Sequence, residues 1–144
     1  MCPLYWSIPL PPESTLSFSL AKIHDKAVFW MRVGQMYKDE YSRHRPDVLI
    51  CNEGGKIGIA VVDRDTSLVE AKPSMAWQPC PQGRFPVKVA WVENAVKVWI
   101  GNEGQPCVTE TRFADALSST RQFSVYYSFR GCNIRLSDIK ATVD

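Results

Sequence analysis

The chain has 144 residues, of which 45% are hydrophobic and 22% are charged, with a net charge of +2. This length and balance suit one domain with one sizeable core and argue against a largely disordered chain. The small net charge, without a block of basic residues, argues against nucleic acid as a partner. No apolar run approaches the ~18 residues of a membrane span, and residues 1–12 lack the pattern of a signal peptide. We therefore expect a cytoplasmic protein, or one secreted without a signal peptide.

Residues 1–14 contain four prolines, and we expect them to form an extended lead-in or an edge strand before a single domain over residues 15–144. Residues 15–21 alternate apolar and polar side chains, which predicts a half-buried strand. A second strand is predicted at 27–33, with Trp30 and Arg32 on one face and Trp30 expected in the core. A third is predicted at 47–52. The Glu53-Gly54-Gly55 run indicates a hairpin to a fourth strand at 56–62, with a further partner at 67–71.

A proline-containing loop is expected over 72–82, and the clearest hairpin signal follows it. Residues 85–92 and 95–100 both alternate, so that Lys97 and Trp99 lie opposite the valine face of the second arm. A short strand at 108–111, a helical piece at 112–119 and strands at 122–129 and 133–143 complete the chain. About nine to eleven strands with turn signals between them predict an all-β fold, a two-sheet antiparallel β-sandwich.

The motifs of common catalytic and cofactor sites are absent from the sequence. There is no GxSxG, no HExxH, no CxxC and no glycine-rich phosphate loop before a helix. We therefore expect a binding domain rather than an enzyme, with no metal and no cofactor. The five cysteines are widely spaced, which favours free thiols in a reducing compartment, although one bridge, such as Cys80 to Cys107, stays open.

Three segments of the chain resemble the galectins. Residues 48–52 (VLICN) are similar to the galectin strand that ends in an asparagine contacting galactose. Residues 80–102 are similar to a proline-containing loop and hairpin, and residues 112–117 followed by 123–125 to the closing segment. The resemblance spans about residues 16–143. It implies a galectin-like or concanavalin-like jelly roll with sugar on the concave face, and a lectin that binds a glycan or glycoprotein, with a homodimer left open. Residues 18–28 also resemble an invertebrate β domain named after farnesoic acid O-methyltransferase, which points to the same class of binding module.

Sugar recognition needs an aromatic face together with planar hydrogen-bonding groups. The resemblance carries over Asn52 and places Arg64 near a galectin arginine. The other candidates lie on the neighbouring strand and loop: Arg32, Tyr37, Tyr41, His44 and Arg45.

Two departures from the galectin pattern favour an alternative function. No histidine–asparagine–arginine cluster lies on one strand, and no aromatic residue lies between Ile57 and Ile59. The alternative is a galectin-fold module that has lost sugar binding and contacts protein, with Trp99 and Lys97 at its interface.

Overall fold

The computed structural model describes residues 8–10, 14–23, 27–34, 46–63, 65–92, 95–102, 104–112, 123–130 and 134–143. Eleven strands and one short helix lie within these ranges. They are β1 (Ile8–Leu10), β2 (Ser14–Lys22), β3 (Trp30–Gly34), β4 (Pro46–Glu53), β5 (Lys56–Asp63), α1 (Leu68–Ala71), β6 (Ala76–Pro79), β7 (Arg84–Val92), β8 (Ala95–Ile100), β9 (Val108–Glu110), β10 (Phe123–Arg130) and β11 (Ile134–Val143). None of the described helices is long and apolar enough to cross a membrane.

The strands form two antiparallel sheets. One has six strands in the order β1-β10-β3-β4-β5-β6, and the other has five in the order β11-β2-β7-β8-β9. This confirms the predicted two-sheet antiparallel β-sandwich. The strand β1, which contains Pro9, lies at the edge of the six-stranded sheet, where a strand that lacks an N–H donor is tolerated.

The main core lies between the two sheets, and alternation is clearest in the residues that β2 contributes to it. On β2, Leu16, Phe18 and Leu20 are at most 2% exposed, while the residues between them are half-buried. The β7–β8 hairpin has the register that its pattern predicts, with Val89 opposite Val98. Alternation on strands that each have one covered face therefore specifies this core.

The β4–β5 hairpin is also confirmed. Its turn consists of Gly54 and Gly55, with φ of 58° and 78°, a backbone region that glycine enters at little cost.

Two predicted elements were wrong. Residues 67–71 form no strand; Leu68–Ala71 is a helical turn capped by Ser67, whose hydroxyl accepts a hydrogen bond from the Glu70 N–H. A 3₁₀ turn over Lys72–Ser74 follows, and the edge strand β6 then lies inside the expected loop at 72–82. The helical piece expected at 112–119 falls outside the described residues, apart from Arg112.

A second apolar cluster lies on the outer face of the six-stranded sheet. On β4, every residue from Pro46 to Asn52 is buried, so both faces of this strand are covered. The cover is the stretch of residues 65–75, which we call the cover segment. Its Ala71 and Met75, with Leu68 partly buried beside them, pack on the outward side chains of β4 and β5, which are Leu49, Cys51, Ala60 and Val62.

Candidate functional site

The outer face of the six-stranded sheet carries the candidate site, because β4, the strand that resembles the galactose-contacting strand of galectins, lies in this sheet. The strand register places Trp30, Cys51, Gly58 and Trp77 in one row across β3, β4, β5 and β6. Trp30 is half-buried and packs against the second apolar cluster rather than in the main core, where it was expected.

An ion pair between β3 and β4 anchors the cover segment. Nη1 of Arg32 lies 2.9 Å from Oδ2 of Asp47, whose side chain is fully buried. The Nη2 group of Arg32 also donates a hydrogen bond to the carbonyl oxygen of Thr66. With 13% of its side chain exposed, Arg32 thus ties two strands to the chain that leads into α1. The guanidinium is committed to these structural contacts.

Among the side chains that the structure describes, the exposed aromatic on this face is Trp77. A Cβ added at Gly58 would lie 2.8–2.9 Å from three carbons of the Trp77 ring, so the ring rests directly against the Gly58 backbone. The residue nevertheless keeps 37% of its surface exposed. Because Gly58 has no side chain to lift the indole, the ring lies against the strand as a supported surface, which we call the Trp77 platform.

Charged side chains flank the Trp77 platform. Glu53 and Lys56 are cross-strand neighbours one row away from Gly58 and Trp77. The Lys72 ammonium lies 2.9 Å from Oε2 of Glu53, and both side chains remain largely exposed. The hydrogen bond to Glu53 raises the pKa of Lys72. The platform therefore combines an apolar ring face with a carboxylate and ammonium groups, the mixture that sugar hydroxyls and ring carbons require.

Beneath the cover segment lies the thiol of Cys51, which donates a hydrogen bond to Sδ of Met75 at 3.6 Å. Burial raises the pKa of Cys51, and the Lys72 ammonium opposes this shift. Burial likewise raises the pKa of Cys80 and of Cys107. All three described cysteines are free thiols, so Cys80 and Cys107 do not form the bridge that the sequence left open. No group of three or more His, Cys, Asp or Glu side chains that could hold a metal ion occurs among the described residues.

Asn52 has a different place from the one expected of a sugar ligand. The alternation of β4 puts it on the side that faces the opposite sheet, and it is 9% exposed. Its Oδ1 accepts a hydrogen bond from the N–H of Phe29, and its Nδ2 donates to the carbonyl oxygen of Ala27 at 2.7 Å. Asn52 therefore fixes the backbone that enters β3.

The remaining candidates are divided between the opposite sheet and residues that the structure does not describe. Trp99 and Lys97 lie on the outer face of the five-stranded sheet, as predicted, and both are half-buried. The Lys88 ammonium lies 4.0 Å from the centre of the Trp99 ring. Tyr37, Tyr41, His44, Arg45 and Arg64 lie outside the described residues.

Comparison with known proteins shows the fold. No family model matches the sequence, and no curated protein sequence matches it. Among solved structures, sheep galectin-11 in complex with glycerol has a TM-score of 0.54 at 11% identity, covering 99% of this chain and 98% of that one. Congerin II with bound lactose and MES has a TM-score of 0.59 at 11% identity, covering 98% of this chain and 100% of that one. The CBM2 module of a Lactobacillus casei BL23 phage J-1 evolved Dit has a TM-score of 0.59 at 12% identity, covering 95% of this chain and 67% of that one.

Proposed function

We propose that the chain is a non-catalytic lectin domain that binds a glycan on the outer face of its six-stranded sheet, with Trp77 as the stacking residue. The observation that carries this proposal is the supported, partly exposed ring of Trp77 over Gly58. A sugar ring presents an apolar patch of C–H groups, which can stack on a flat aromatic ring. Because the Trp77 ring is already held in place, it loses little conformational entropy when the sugar binds.

The fold supports the same assignment. The galectin-like sandwich extends over nearly the whole chain, and the congerin II structure holds lactose. In this chain β5 lacks an aromatic residue between Ile57 and Ile59, but the adjacent strand β6 places Trp77 against Gly58, on the same row. The Trp77 platform therefore offers an aromatic surface over Gly58, the position on β5 that has no aromatic side chain of its own.

The cover segment determines how much of the face remains open to a glycan. Leu68, Ala71 and Met75 occupy the area above β4 and the far end of β5. This leaves the β5–β6 side with Trp77 and Lys56, beside Glu53 at the end of β4. This arrangement favours a short or terminal sugar unit stacked on Trp77, with its hydroxyls bonded by Glu53 and by Lys72 of the cover segment.

The test is a screen of immobilised neutral glycans, lactose among them, followed by titration of the bound glycan against Trp77→Ala and the matched variant Trp99→Ala. Loss of the stacking surface should weaken binding about tenfold or more, equivalent to about 1.4 kcal/mol, and Trp77→Phe should recover part of it. Trp99 lies on the opposite sheet, so its removal should leave affinity unchanged. Binding that survives Trp77→Ala would overturn the assignment of the site, and failure to bind any glycan would overturn the lectin function.

A further inference from the structure

The outer face of the five-stranded sheet, which the proposed glycan site does not use, has a segregated charge. Its described ionisable residues are five basic ones and one acidic one: Arg84, Lys88, Lys97, Arg135, Lys140 and Asp138. We call this surface the basic face. Its formal charge is +4, whereas the whole chain carries +2, so the rest of the chain carries −2. The basic face is therefore more positive than the chain as a whole.

The sheet register arranges these cations regularly. Lys140 and Lys88 flank Ser17 on neighbouring strands, so their Cα atoms are two strand spacings apart, about 10 Å. Arg135 and Arg84 flank Ala21 in the same way, four residues further along β2, or about 13 Å. The Cα atoms of these four residues therefore lie at the corners of a grid across β11, β2 and β7.

Short hydroxyl side chains occupy much of the space between the cations. The outward positions of β2 are Thr15, Ser17 and Ser19, and they face Thr142, Lys140 and Ser137 on β11. Within the grid, Asp138 forms a salt bridge with Arg84 and accepts a hydrogen bond from Ser19. It lies at a bulge of β11 with φ of 55°. The surface therefore offers ammonium, guanidinium and hydroxyl donors, with one carboxylate that opposes an incoming anion.

We propose that the basic face binds a sulfated polysaccharide, a ligand and a surface distinct from those of the proposed glycan site. Sulfate groups carry their charge at all physiological pH values, recur along an extended chain, and accept hydrogen bonds from both lysine and hydroxyl groups. The sulfate groups of such a chain complement the charge of a grid of cations some 10 Å apart.

The other polyanions fit this surface less well. Single-stranded nucleic acid gains much of its affinity from bases stacked on aromatic side chains, and the aromatic here, Trp99, is half-buried with the Lys88 ammonium over its ring. Stable attachment to a bilayer needs an apolar insertion in addition to a basic patch, and the outward positions of β2 carry hydroxyls and alanine.

The experiment measures the affinity of the full chain for a fluorescent heparin oligosaccharide at several salt concentrations. Lys88→Gln and Lys140→Gln should each weaken binding about fivefold, as expected for one cation near an anionic surface, and both together should flatten the dependence on salt. The matched control is Lys22→Gln, which removes the same charge at the end of β2, at a position that does not alternate onto the basic face. Heparin stripped of its sulfates should bind at least tenfold more weakly.

A variant of opposite sign sharpens the test. Asp138→Asn removes the carboxylate from the grid, and asparagine tolerates the positive φ at this position, so affinity for heparin should rise several-fold. Equal effects of Lys88→Gln and Lys22→Gln, or no gain from Asp138→Asn, would overturn the proposal. Tighter binding of a single-stranded RNA homopolymer or of phosphatidylserine vesicles, sensitive to the same lysines, would replace the sulfated polysaccharide with that ligand. Trp77→Ala should leave heparin binding intact, so failure here and failure of the proposed glycan site are separable.

Discussion

Removal of the Asp47 carboxylate tests whether the ion pair under the cover segment organises the candidate site. In Asp47→Ala, the Arg32 guanidinium loses the partner that lies 2.9 Å away, while 13% of its own side chain remains exposed. Breaking a buried pair from one side costs 3–5 kcal/mol in general, because the remaining charge is left without compensation. Partial access to water and the bond to the Thr66 carbonyl reduce that cost, so we expect a loss of about 3 kcal/mol, roughly 150-fold in the folding equilibrium.

The assay is urea unfolding followed by tryptophan fluorescence, with free energies extrapolated to zero denaturant. The matched control is Asp65→Ala, which removes an exposed carboxylate of the cover segment and should change the free energy of unfolding by no more than about 0.5 kcal/mol. Proteolysis or hydrogen exchange within residues 65–75 should accelerate in Asp47→Ala, since Arg32 holds the start of this segment.

A loss below about 1 kcal/mol in Asp47→Ala would refute the reasoning, because it would mean that the pair is not desolvated. The double variant Arg32→Met with Asp47→Leu separates the cost of leaving one buried charge unpaired from the net contribution of the ion pair to the free energy of unfolding. Replacement of a buried ion pair by apolar side chains of similar size is often neutral, so the double variant should be more stable than Asp47→Ala alone.

Three further predictions concern the Trp77 platform, the main core and the buried thiol of Cys51. Gly58→Ala should displace the Trp77 ring, whose carbons lie 2.8–2.9 Å from the new Cβ, and so should weaken glycan binding by about as much as Trp77→Ala in the same titration. Phe18→Ala should lower the free energy of unfolding by about 3–5 kcal/mol in urea, because this ring is 2% exposed in the main core. The free energy of unfolding should fall as pH rises above 9.0, the ordinary pKa of a thiol, because burial raises the pKa of Cys51 in the folded state and the thiol then ionises only in the unfolded chain. In Cys51→Ala the free energy of unfolding should fall less steeply over the same pH range. An equal slope in the two proteins would contradict this assignment.

Alternation in the sequence was sufficient to predict the residues that β2, β7 and β8 contribute to the main core. On β7 and β8 the apolar residues recur at every second position, and the structure pairs Val89 with Val98 accordingly. A two-residue period determines which side chains share a face, and a glycine pair such as Gly54-Gly55 determines where the chain reverses. Both signals are local, so a single sequence contains them.

The cover segment was mispredicted because its signal is of a different kind. Residues 48–51 (VLIC) form a continuous apolar run, which is typical of a strand covered on both faces, but the run does not reveal what covers the strand. The cover comes from Leu68–Ala71, a helical turn too short for a 3.6-residue period to be visible. Its marker was Ser67 followed by Glu70, the capping arrangement at a helix start. Expecting a strand there hid the element that shapes the candidate site.

The sequence did not identify Trp77 as a stacking residue, because its position depends on a contact between two strands and not on the pattern of one strand. The galectin resemblance places the stacking aromatic on β5, where no aromatic residue lies between Ile57 and Ile59. The residue between those two is Gly58, and a glycine inside an apolar strand indicates close approach by another group. That group is the indole of Trp77, delivered from the proline-flanked strand β6. The glycine and the tryptophan are thus one feature: without a side chain at 58 the ring can lie against the sheet, and without the ring the sheet would have a bare backbone at this point.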